Sequence, residues 1–165
     1  MKLERFTILD SSFTAIIYIA GIIGIRFLPD FFLKTSFISI LIPLSLYLYR
    51  VKTKGKNILL ILSVYSIGFF AEWIGVRFGW LFGSYKYGDS LGWKFDGVPL
   101  VIGANWLLLC LISRDIASKI FEKRILIIIF SSILMVIIDF LIEPLSKSLD
   151  FWKWENNTIP ISNYI

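Results

Sequence analysis

The sequence predicts an all-α protein, a polytopic transmembrane helix bundle of about five spans with a Gly- and aromatic-rich outer loop and a Trp-rich C-terminal segment. Three observations carry that expectation. The 165 residues are 57% hydrophobic with mean hydropathy +0.77, whereas soluble domains are roughly 45–50% apolar. Charged residues make up 18% of the chain, below the usual share of about 25%. The apolar residues also gather into five runs, each approaching the roughly 20 residues that cross a bilayer at 1.5 Å per residue. A single integral-membrane domain, residues 1–165, accounts for all three. The net charge of +5 does not point to nucleic acid, because the Lys and Arg residues cluster between apolar runs, where membrane topology explains them.

Taken in order, the first span covers Ser12–Leu28. Glu4 and Asp10 lie among the basic residues before it, and it ends at Arg26-Phe27-Leu28-Pro29-Asp30 without a small-residue cleavage pattern. It therefore reads as a retained helix rather than a signal peptide. Pro29-Asp30 turns the chain into the second span, Phe31–Tyr49, and Lys52-Thr53-Lys54-Gly55-Lys56 turns it into the third, Asn57–Val76. The loop Arg77–Gly97 follows, ending in Asp96-Gly97, a strong turn signal. The fourth span, Val98–Ser113, is the shortest, and the fifth is Ile125–Leu145. Pro144 disfavours helix at the residue before it, so a break is expected at Glu143. The tail from Leu149 to Asn157 is too polar to span. Trp152 and Trp154, two apart, share one side of an extended segment, which suits either a membrane-surface anchor or a lid. Cys110 is the only cysteine; it excludes an intramolecular disulfide and reads as a small packing residue.

The basic residues orient the bundle. Lys2 and Arg5, then Arg50, Lys52, Lys54 and Lys56, then Arg114, Lys119, Lys123 and Arg124 fall on the N-terminal side in short dense loops. The expectation is a cytoplasmic N-terminus in the cell's inner membrane. The long loop, the tail and the ends of spans three and five then lie at the outer leaflet.

The sequence has no histidine, so proton chemistry must run through carboxyl groups. Glu72, Asp139 and Glu143 sit in or at the ends of apolar runs, where a carboxylate costs roughly 2.5–3.5 kcal/mol even on lenient scales. Gly68, Gly75 and Gly79 share the face of Glu72, and small residues at that spacing let another helix approach closely. Asp139 and Glu143, four apart, also share a face. In low dielectric both cannot ionise cheaply, so one is expected to keep its proton, as a general acid requires. The bland alternatives are a Glu72 that pins two helices and an acidic pair that meets headgroup water. Asp96 should sit just above the fourth span and could face the same cavity. Asn105 and Trp106 lie inside that span, where a buried Asn is as readily helix glue as a substrate contact. Walker loops, dinucleotide fingerprints and Cys/His metal clusters are missing. So are Asp-rich pyrophosphate motifs, a mid-helix lysine for a Schiff base and histidines for iron.

The stretch Glu72-Trp-Ile-Gly75-Val-Arg-Phe-Gly79-Trp-Leu-Phe-Gly83-Ser-Tyr85-Lys-Tyr87 resembles the integral-membrane carotenoid hydratases. Gly97-Val-Pro99 with Asn105-Trp106, Asp139-Phe-Leu-Ile-Glu143-Pro144, Trp152-Lys-Trp154, and Ile159-Pro160 with Asn163 extend the resemblance in order over most of Gly68–Ile165. That family includes bisanhydrobacterioruberin hydratases and carotenoid 1',2'-hydratases. Two features depart from it. Thr158 stands where the family often has glycine. Members also usually continue past the asparagine into further helices, so this sequence reads as short at its C-terminal end.

The resemblance implies an enzyme of carotenoid (isoprenoid) biosynthesis, a hydro-lyase adding water to the terminal alkene of a carotenoid ψ-end to give a tertiary alcohol. It needs a protonated carboxyl, aromatic faces for a cation and one water, with no cofactor and no metal. Asp139, coupled to Glu143, is the expected acid, with Glu72 or Asp96 positioning or deprotonating the water. Trp73, Trp106, Trp152 and Trp154 are candidates to shield the cation, and Tyr85, Asn105 and Asn163 complete the expected substrate contacts. The expected partners are a lipophilic carotenoid and membrane lipid, without nucleic acid; a homo-oligomer or partner biosynthetic enzymes stay open. Competing readings are a carotenoid end-group cyclase and a non-catalytic membrane subunit or transporter component.

Overall fold

The computed structural model describes residues 8–51 and 56–164, so the basic residues Lys2, Arg5, Lys52 and Lys54 lie outside the described part. Among the described residues six helices follow one another: α1 (Ile8–Phe27), α2 (Pro29–Lys34), α3 (Ile38–Val51), α4 (Lys56–Phe78), α5 (Val101–Ile120) and α6 (Arg124–Ser146). Between α4 and α5 lie β1 (Tyr85–Tyr87), β2 (Lys94–Phe95) and β3 (Val98–Pro99). After α6 come β4 (Trp152–Trp154) and a short 3-10 helix, Ile161–Tyr164. The protein is an all-α membrane bundle. Among the described residues α4, α5 and α6 have the length and hydropathy to cross a bilayer, while α1 and α3 supply shorter apolar helices, Ser12–Phe27 and Ile38–Arg50.

The second expected span is not continuous. Pro29 starts α2, its fixed φ suiting a first helical turn. The hydroxyls of Thr35 and Ser36 then bond back to the carbonyls of Phe31 and Phe32. Such side-chain bonds offer the backbone an alternative to continuing the helix, and α3 begins only at Ile38. The fourth span starts later and runs further than hydropathy suggests. Val98-Pro99 pairs with Lys94-Phe95 in a hairpin closed by Asp96 (φ +47) and Gly97 (φ +86), the left-handed pair a tight hairpin turn requires. At its other end α5 carries Arg114, Asp115 and Lys119 along its length. There the Tyr47 hydroxyl donates to Asp115 Oδ2 at 2.7 Å and ties α3 to α5.

Nor does α6 break at Glu143: it passes through Pro144 to Ser146. Proline removes one backbone donor, but this one sits in the last turn. The Ser146 hydroxyl there adds a bond to the Glu143 carbonyl at 2.8 Å, and the chain turns off directly afterwards.

α5 is the central helix, packed against α3, α4 and α6. Its residues Val101, Ile102, Ala104, Leu107 and Leu108 form the buried core with Phe69 of α4 and Leu44 of α3. The glycine stripe of α4 serves three purposes rather than one helix seam. Gly68 lies against Trp106 of α5, where a Cβ would come within 2.5 Å of the side chain, whereas Gly75 makes room for the Tyr85 ring of the loop. Gly79, with φ +66, ends the helix by donating its N–H to the Gly75 carbonyl. The isoleucines of α6 are largely exposed, as a lipid-facing surface requires.

Candidate active site

The tail returns across the loop. β4 pairs antiparallel with β1, setting Tyr85 opposite Trp154 and Tyr87 opposite Trp152. Flanking bonds extend the seam: Gly88 N–H to the Phe151 carbonyl, Glu155 N–H to the Ser84 carbonyl, and Asp89 N–H to Asp150 Oδ2. Alternate strand residues share a face, so two tyrosines and two tryptophans point together into the bundle. Of the two roles expected for the tail, the pairing fits the lid.

Beneath this lid lies a cavity of about 290 Å³ walled by α4, α5, α6, β1, β4 and Asn163. Two carboxyl groups in it are surrounded by donors. Glu143, only 4% exposed, accepts at Oε2 from the indole N–H groups of Trp152 (3.1 Å) and Trp154 (2.9 Å). Its Oε1 accepts from the Asn163 amide at 3.0 Å, and the same amide nitrogen donates to Asp139 Oδ2 at 2.8 Å. Glu72 accepts the Tyr85 and Tyr87 hydroxyls at Oε2 (2.5 and 2.7 Å) and the Trp106 indole at Oε1 (2.9 Å). Each glutamate is thus held by three hydrogen-bond partners. Asp139 differs. Asn163 is its one hydrogen-bond partner among the described residues, and its side chain lines the cavity. The Asn105 amide lines the cavity too and has no hydrogen-bond partner among the described residues. Burial, then the negative charge of Glu72, pushes the Tyr85 phenol well above its ordinary value of 10.0; the same causes, in the same order, act on Tyr87. Both hydroxyls therefore stay protonated donors at any physiological pH.

Residues 33–165 match the family model described as carotenoid biosynthesis protein. The chain belongs to that family. It is 29% identical over 154 residues to a bisanhydrobacterioruberin hydratase of Haloarcula japonica, an alignment covering 85% of this chain and 50% of that protein. The chain thus spans about half the length of the relative it matches. No solved structure matches it.

For this family member the fold brings together Glu72, Tyr85, Asn105, Trp106, Asp139, Glu143, Trp152, Trp154 and Asn163 around one cavity. Asp96 and Trp73 are placed elsewhere. The left-handed turn at Asp96 directs its carboxylate to the Trp73 indole (2.9 Å) and to Arg77 (3.7 Å), on the exposed side of the hairpin. Asp96→Asn, which keeps an acceptor and tolerates that backbone, is expected to change stability by no more than about 1 kcal/mol, because an exposed ion pair contributes roughly 0–1 kcal/mol. A markedly larger fall in a thermal unfolding midpoint would show that the hairpin depends on this carboxylate.

Several lining residues were not expected at the site from the sequence: Tyr87, Phe82, Ile102, Leu109, Ser132, Met135 and Val136. Tyr87 was findable from its two-residue spacing to Tyr85. Ser132 and Val136 were findable as the continuation of the Asp139–Glu143 helix face, eleven and seven residues before Glu143. Phe82 and Ile102 offer no such signal.

Proposed function

We propose that this protein performs cofactor-independent, acid-catalysed hydration of the terminal alkene of a carotenoid ψ-end. The observation that carries the reading is the contrast among three carboxyls in one cavity: Glu72 and Glu143 each meet three donors, Asp139 meets one. Asp139 is the group whose second oxygen can hold a proton facing the substrate. It delivers that proton to the less substituted alkene carbon, and the π pair forms the new C–H bond. The resulting tertiary cation lies among the faces of Trp106, Trp152 and Trp154, where ring quadrupoles attract positive charge. Water adds through its oxygen. The surplus proton returns to the carboxyl system, so the net change is addition of one water. Glu72, fixed by three bonds, and the uncommitted Asn105 amide are the groups to orient that water.

Expression of the protein in a host accumulating lycopene tests this. The expected product is a hydroxylated pigment heavier by one water. A cyclised pigment of unchanged mass would instead favour the cyclase reading, and unaltered pigment would leave the reaction without support.

The same reading places the N-terminus in the cytoplasm and the cavity near the outer leaflet, following the basic loops. Trp93, 88% exposed in the loop, gives the test. In a Cys110→Ala background, Trp93→Cys should react with a membrane-impermeant maleimide added outside intact cells. Labelling only after lysis would invert the topology.

A further inference from the structure

The cavity has a closed end and an open one. Its α6 wall is the stripe Glu143, Asp139, Val136 and Ser132, one helix face by spacing, with half-buried Met135 beside Val136. Exposure rises along it: 4% at Glu143, partial at Asp139, 44% at Val136, with Ser132 exposed as well. Those eleven steps cover about 16 Å. The mouth therefore opens partway down a helix that crosses the membrane, on its lipid-facing surface, rather than at the loop end. Polarity runs the same way. The carboxyls, phenols and indole N–H groups crowd the closed end. The mouth is lined by Leu109, Met135 and Val136, and the Ser132 hydroxyl is already bonded to the Ile128 carbonyl at 3.1 Å.

Volume sets the depth. A dry apolar cavity of ~150 Å³ holds a benzene molecule, so 290 Å³ has room for roughly a dozen carbons. That is about two isoprene units, far short of a carotenoid. We infer that the site takes a linear polyisoprenoid end-first and sideways from the bilayer. It encloses only the terminal two or so units beneath the Trp152–Trp154 strand and leaves the rest of the polyene in lipid beyond Ser132. The fate of the enclosed end rests on the hydratase reading; the manner of insertion does not. It follows that the protein reads the end group and not substrate length or the far end. A substrate with two acyclic ends is processed one end per encounter, with the singly hydrated pigment released between.

The test uses the full protein in lipid nanodiscs and two photoreactive linear isoprenoids, one carrying a diazirine near the acyclic terminus and one at about the fourth unit. The first should label the tail strand or loop, the second the Ser132–Val136 stretch of α6. Ser132→Phe and Val136→Phe, which fill the mouth, should each lower the second labelling roughly tenfold, while Val136→Ala should not. Fourth-unit labelling in the tail, or mouth variants without effect, would overturn the inference. In parallel, turnover of symmetric and one-end-cyclic carotenoids should agree per acyclic end, with the singly hydrated product appearing free before the doubly hydrated one. A strong dependence on the far end would also overturn it. The expected labelling without any water-added product would keep this inference and remove the hydratase reading.

Discussion

Asp139→Asn should abolish water-added pigment, with a loss of roughly 10²–10⁴-fold, the range supplied by a positioned general acid. Asparagine has the same shape and can still accept the Asn163 amide bond, so the α6 face and the tail should keep their places. What it loses is the proton. Membrane content and tryptophan emission should match the parent protein while turnover disappears. If the variant hydrates at the parental rate, Asp139 is not the acid and the proposed division of labour among the three carboxyls fails. The same substitution would be mild if the acidic pair served only to meet headgroup water, so the experiment also decides against that blander role.

Glu143→Ala should act differently, by unfastening the lid. Removing this carboxyl strands the indole N–H groups of Trp152 and Trp154 and one bond of Asn163 in a site where Glu143 itself is 4% exposed. Each orphaned buried donor costs about 1–3 kcal/mol. Against that stands a ladder of three residue pairs, and an isolated two-stranded ribbon is marginal on its own. The tail should therefore detach. Limited proteolysis should cut near Asn156-Asn157, tryptophan emission should shift to the red, and turnover should fall by more than about tenfold. Glu143→Gln, which retains an acceptor oxygen, should lie between. An unaltered proteolytic pattern in the alanine variant would show that backbone pairing alone holds the tail down.

The two variants separate what was legible in the sequence from what was not. That Asp139 and Glu143 were candidates for one site could be read from their cost in an apolar run and from their four-residue spacing. That they differ could not. Glu143 gathers its donors from residues nine, eleven and twenty positions further on, and the tail reaches those positions only because β4 pairs with β1, more than sixty residues earlier. Two three-residue strands carry too little local pattern to announce such a pairing. Asp96 erred in the opposite sense. Its place at the start of α5 was sound, but the φ +47 turn aims its side chain outward, and direction is a property of backbone angles rather than of position in the sequence. The divided second span and the intact turn at Pro144 follow the same rule. In both, hydroxyl-to-carbonyl bonds adjusted a boundary that hydropathy alone had drawn.

Hydropathy and residue type by themselves determined that this is a helical membrane protein, where most helices begin and end, and that carboxyl groups are the candidates for proton chemistry. Transfer free energy adds up residue by residue, so it can be summed along a string. Which carboxyl is saturated with donors, which one faces an open cavity, and which way that cavity opens were decided only when the tail folded over the loop. Hydrogen bonds depend on distance and direction between groups far apart in sequence, and only packing sets those.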